Sequence, residues 1–182
     1  LGHFKRAQKT YQSISYVRGV VFATIAIAET YDELKAKDGI FKAQQILNDL
    51  LDSDLKEQFT ELNYQEIYHV LGFLYNYDGY EDREKAIMYC EMALEIARRR
   101  KDVYAILVVR NNLAKVYLKY DPQKARSYLI EGIKTTEDLG VKALFQHNLS
   151  DYYRQKDQLD SAIVLMKESI ANYVGVDLPV ET

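Results

Sequence analysis

The sequence has no tryptophan, one cysteine, three histidines and two prolines in 182 residues. A lone Cys90 excludes an internal disulfide. It lies among Tyr89, Met92, Ala93 and Leu94 in a helical apolar pattern, where a thiol behaves as a small core residue. His3, His69 and His147 make no His-x-x-x-His spacing, and Cys-x-x-Cys cannot occur, so no metal site is expected. A glycine-rich loop ahead of a helix and a Gly-x-Ser-x-Gly elbow are also missing. The paired carboxylates Glu81–Asp82 and Asp52/Asp54 read as solvated helix ends. Neither catalysis nor a cofactor is expected. The scarcity of proline leaves long stretches free to be helical, because proline removes a backbone donor and clashes with the preceding turn.

Charge of one sign is also lacking. The formal net charge is −3, and the only dense basic run is Arg98-Arg99-Arg100-Lys101. Such a run suits the negative end of a helix better than a phosphate backbone, so nucleic acid is not an expected direct partner. The longest apolar run, Val20 to Ala28, contains Thr24 and falls far short of the ~20 residues that span a bilayer, so no membrane segment is expected. The chain opens on Leu1 with no signal peptide, which suggests a processed form or a piece of a longer protein. Its single cysteine does not separate cytoplasm from periplasm.

What is present is repetition. Three segments align: Leu71-Gly72 with Tyr75, Leu113-Ala114 with Tyr117, and Leu149-Ser150 with Tyr153. Each is followed by an alanine and, seven positions on, a small residue: Ala86 and Ala93, Ala125 and Gly132, Ala162 and Ser169. Positions three, four and seven apart share a helix face, so small residues there let two antiparallel helices approach while the tyrosine fills the space beside them. A fainter copy runs through Ile27-Ala28, Tyr31, Ala43, Leu47 and Leu50, preceded by Ala7, Tyr11 and Ile14. Ala7, Ala43, Ala86, Ala125 and Ala162 recur every 36 to 43 positions. Helices are expected near 4–16, 18–36, 39–53, 55–60, 62–78, 82–100, 103–119, 122–138, 141–155 and 159–173. Asp121-Pro122 suits an N-cap with proline at the first helical position, and Gly140 suits a C-cap. Tyr75, Tyr117 and Tyr153 are expected in the core, Tyr64, Tyr77, Tyr80 and Tyr120 near helix ends, and the tail from Val174 extended.

This pattern resembles the tetratricopeptide repeat (TPR), in a divergent bacterial form. The family's helix-turn-helix unit has a ~34-residue period, with leucine and a small residue, then tyrosine, then alanine. The match runs from residue 4 to 172. It departs from the family in lacking tryptophan and the terminal proline, and in its longer periods. The resemblance implies an all-α fold, an α-α superhelix that is a right-handed solenoid of antiparallel helix pairs. It would form a single domain over 1–182, with weaker repeats in 4–60 and clearer ones in 62–100, 103–138 and 141–173. The absence of a polar closing helix implies missing downstream sequence or an apolar end covered by a partner.

In that family the first helix of each pair lines a concave groove. The corresponding residues here are His69, Phe73, Asn76 and Tyr77; Asn111, Lys115, Leu118 and Lys119; and His147, Asp151, Arg154 and Gln155, with Ile25, Glu29, Asp32 and Glu33 upstream. His69, Asn111 and His147 would form a row of hydrogen-bonding groups, with Lys115, Lys119 and Arg154 supplying charge for an extended peptide or acidic tail. The expected function is a protein-interaction scaffold. A second reading is a sensory or regulatory domain beside a bacterial histidine kinase or transcriptional regulator. The partners implied are a protein or peptide, other domains of the same polypeptide, or a second copy through the open end.

Overall fold

Aspartates start most of the helices in the second half of the chain. Asp82, Asp102, Asp121 and Asp138 each turn a carboxylate back to the third backbone N–H of the helix that follows, accepting from Lys85, Ala105, Lys124 and Val141 at 2.9–3.1 Å. Each such cap satisfies an orphan donor and contributes about 1 kcal/mol. Thr60 does the same with a reciprocal capping box to Asn63. Several helix-to-helix turns use a left-handed residue, at Ser15, Lys101 and Asp157, so the chain reverses within a few positions.

The computed structural model describes residues 1–33, 38–77 and 82–175, without the side chains of Asp32 and Glu33. The described residues form nine α-helices and no strand: α1 (Gly2–Ser13), α2 (Val17–Glu33), α3 (Gly39–Asp52), α4 (Glu61–Leu74), α5 (Arg83–Arg99), α6 (Val103–Tyr120), α7 (Pro122–Thr135), α8 (Leu139–Gln155) and α9 (Leu159–Val174). A 3₁₀ turn, Asp54–Gln58, fills the place of the expected short helix at 55–60. The expected continuation of α2 to residue 36, Tyr80, Glu81 and the tail beyond Gly175 lie outside the described residues. Arg98 and Arg99 do close a helix, in the last turn of α5.

Three helix ends fall short of expectation, α1 among them at Ser13 rather than 16. Helix α7 stops at Thr135, and Gly140 sits inside the first turn of α8, so it caps nothing. Asp138 starts α8 instead, because its carboxylate reaches the Val141 N–H at 2.9 Å. Helix α4 stops at Leu74 rather than 78. There the N–H groups of Asn76 and Tyr77 turn back to the carbonyls of Phe73 and Leu74, tightening the chain into a turn.

The helices form two compact units, Leu1–Arg100 and Lys101–Thr182. In the first, α1 packs on α2, α2 on α3, and α4 on α5, while α4 also touches both α2 and α3. Its core gathers Val21, Ala28, Ala43, Leu47, Ile67 and Leu71, each fully buried. In the second, α6 pairs with α7 and α8 with α9, and α8 touches both α6 and α7. Leu113, Leu129, Val141 and Phe145 anchor that core.

The small residues lie where the helices come closest. A Cβ on Gly72 would stand 2.5 Å from Cys90 Sγ, and one on Gly132 would stand 2.3 Å from the Phe145 ring. Ser169 keeps its hydroxyl but donates it to the Ala143 carbonyl at 2.8 Å. In α4 and α5 the pairs Glu61–Arg99, Gly72–Cys90 and Tyr75–Lys85 run in opposite chain order, which makes the two helices antiparallel. Ala43, Ala86 and Ala125 are completely buried, and Ala162 nearly so. Ala7 is only half-buried and Ile14 is 65% exposed, so α1 is the shallowest copy of the pattern.

Candidate functional site

The residues expected to line a groove divide between the two units. In the second, α6 carries Asn111, Lys115 and Lys119 at four-residue intervals, hence along one stripe, and α8 carries His147, Asp151 and Arg154 in the same way. The two helices are in contact, and the side chain that joins them is Asn111. It is 4% exposed and accepts from the Asn148 amide at 2.8 Å. Burial of an amide is offset only when its hydrogen bonds are made, so this pair fixes the spacing of α6 and α8 rather than reading a ligand. His147 is exposed, Lys115 half-buried and Lys119 exposed. Arg154 is exposed and binds Asp151 through two nitrogens at 2.9 and 3.2 Å. An exposed pair of this kind is worth little in stability, about 0–1 kcal/mol, and an anion can displace its carboxylate. The expected row of three hydrogen-bonding groups therefore has one buried member and one exposed member in this unit.

In the first unit, His69 and Phe73 lie on α4, both half-buried. Burial holds the His69 imidazole below its ordinary value of 6.5, because desolvation penalises the charged form. Asn76 and Tyr77 fall in the turn after α4 rather than on its face. The Tyr77 ring meets Phe73 edge-on at 6.3 Å. Upstream, Ile25 is half-buried against the core of this unit and Glu29 is exposed. Arg18 of α2 grips Glu66 of α4 with two bonds of 2.6 and 2.9 Å, bracing these two helices as Asn111 and Asn148 brace the other pair.

The tyrosines do more than the sequence reading assigned to them. Tyr117 is buried as expected, but Tyr75 and Tyr153 are only half-buried. Tyr75 stacks on Tyr89 at 5.6 Å and Tyr117 on Tyr128 at 6.0 Å. Tyr89 and Tyr128 occupy one repeat position, three after the alanine. The lysine just before that alanine covers the outer ring in both copies, Lys85 over Tyr75 at 5.1 Å and Lys124 over Tyr117 at 4.0 Å. Lys124 also donates to the Tyr117 hydroxyl at 2.8 Å, and that bond is the main reason its ammonium is held above its ordinary value. In the third copy Ser161 and Leu165 replace the lysine and tyrosine, and the stack is gone.

Phe59, Tyr64, Tyr68, Tyr89 and Tyr75 extend the first stack into a ladder with centroids 5.3–5.7 Å apart. Its polar end is Asn48 of α3, which donates to the Tyr75 hydroxyl and accepts from that of Tyr89, both at 3.0 Å. The signal was readable as Tyr64, Tyr68 and Tyr75 at spacings of four and seven.

The described residues contain no group of three or more His, Cys, Asp or Glu able to hold a metal ion, and no helix long and apolar enough to cross a membrane. Cys90 is fully buried against Gly72, and burial pushes its thiol up to about 12, which leaves it protonated and unreactive at neutral pH. Neither a protein-family model nor a curated protein matches the chain.

Proposed function

We propose that the chain is a tetratricopeptide-like scaffold whose first-helix surface binds an extended, acidic segment of another polypeptide. The observation that supports this reading is that Lys115 and Lys119 stand on α6, His147 and Arg154 stand on α8, and the two helices are in contact. Two further features support it. Hairpins α6–α7 and α8–α9 pack with first helix against first helix and second helix against next first helix, as stacked repeats do. The Asn111–Asn148 bond locks the α6–α8 spacing, so the charged groups are presented on a rigid frame with little ordering cost on binding.

The test is fluorescence anisotropy with a labelled peptide rich in aspartate and glutamate, against a neutral peptide of equal length. The native chain should bind the acidic peptide more tightly, with affinity falling as salt rises. Lys115→Glu with Arg154→Glu should weaken that binding at least about tenfold while leaving far-UV circular dichroism unchanged. Equal binding by native and variant chains would remove this face from the account.

A further inference from the structure

Helix α9 turns one face to α8 and leaves another uncovered. Ala162 and Ser169 are buried, and Glu168 and Asn172 hydrogen-bond to Gln146 of α8 at 2.8 and 2.7 Å. Roughly a quarter-turn round the helix, Leu159, Ile163, Ile170 and Tyr173 stand 53–58% exposed, with half-buried Met166 between them. Their spacing of four, three, four and three is that of a coiled-coil seam, with Ile163 and Ile170 at the a positions and Leu159, Met166 and Tyr173 at d.

The internal repeat shows what covers such a face. When Ala125 of α7 is aligned with Ala162 of α9, the corresponding helix α7 packs on α8, the first helix of the next hairpin. Leu129, the counterpart of Met166, is completely buried. Gly132, the counterpart of Ser169 beside that face, receives the Phe145 ring of α8. Arg126, the counterpart of Ile163, reaches the Tyr153 hydroxyl at 3.5 Å. The short connection between α7 and α8 makes them antiparallel. Helix α9 thus carries a seat for an antiparallel helix, with Ile163 where α7 has an arginine.

A second α9 fits that seat. In a two-fold antiparallel pair, Ile163 meets Met166 of the second copy and Leu159 meets its Ile170, so the layers from Leu159 to Ile170 are apolar. The two charged residues flanking the seam, Asp160 and Lys167, both hold the e position. Antiparallel helices bring e against e, and the two-fold axis then sets Asp160 opposite Lys167 of the second copy twice over. A parallel pair would instead face them with the g residues Ala162 and Ser169, which carry no charge. We propose that α9 is a self-association helix, through which two copies of the chain pair antiparallel along the Leu159–Ile170 seam.

Sedimentation equilibrium of the full chain over a wide concentration range tests this. The native protein should reach twice its 21.2 kDa mass. Ile163→Glu with Ile170→Glu should weaken association at least about a hundredfold with unchanged helicity, since both side chains are already exposed in one copy. Asp160→Lys should weaken it about tenfold by setting like charges across the seam, and adding Lys167→Asp should restore it. A native chain that stays monomeric at every concentration would overturn the proposal. So would a dimer that survives the isoleucine substitutions, or a charge swap that fails to restore pairing.

Discussion

His69 titrates against its own burial. Desolvation lowers its pKa in the folded protein below the ordinary 6.5. Above that pH the imidazole is neutral in both folded and unfolded chains, and it contributes no pH dependence. Below it the unfolded chain takes up a proton that the folded chain resists, so stability falls as pH drops from 6.5 toward the lowered value. His69→Gln keeps a polar side chain of similar reach and cannot titrate. The difference in melting temperature between pH 7.5 and 5.5 should therefore be smaller in the variant than in the native protein. Equal differences would mean that His69 is protonated as easily when folded, and that its half-buried position costs the cation nothing. Cys90 differs in that no hydrogen-bonding ligand is required of it. It fills the gap at Gly72, and its chemistry is silenced by the same burial that makes it useful there.

At the scale of the element, the caps determine where each helix begins. Asp121 holds the start of α7 through its bond to the Lys124 N–H, with Pro122 pre-set at the first helical position. It also precedes the turn of chain that lets Lys124 cover Tyr117. Asp121→Ala should cost about 1 kcal/mol in urea-induced unfolding, with an unchanged dependence on denaturant concentration. Asp121→Asn, which keeps an acceptor oxygen, should recover most of that loss. A cost no larger than a few tenths of a kcal/mol would show that packing alone fixes the start of α7. Helix existence and pairing were legible from spacing, because leucine, small residue and tyrosine recur on a 3.6-residue period in all three clear copies. Ends were less legible. Gly140 looked like a terminator, yet Asp138 two residues earlier outcompetes it by offering an oxygen to the next helix. The groove lost Asn76 and Tyr77 for a related reason, since periodicity continues past Leu74 while the backbone turns away. Asn111 was placed correctly on α6, but its burial depends on Asn148, a partner 37 residues away that no local pattern announces.

At the scale of the whole molecule, the question is how far one hairpin depends on another. Each of the helices α2, α3 and α4 touches both of the others, and Leu47 of α3 is completely buried among them. Truncating Leu47 to alanine removes about 2–5 kcal/mol of packing, counting the cavity left behind. In a stack of nearest-neighbour repeats the loss stays near its origin, because stability is a sum of repeat and interface terms rather than one shared core. Native-state hydrogen exchange of Leu47→Ala should then show amide protection falling in α2, α3 and α4, with α8 and α9 close to their native rates. A uniform fall across both units would identify one cooperative core and would count against the repeat-scaffold reading. The local outcome fits the proposed role, in which the α6–α8 pair would keep its shape while the hairpins of the first unit breathe.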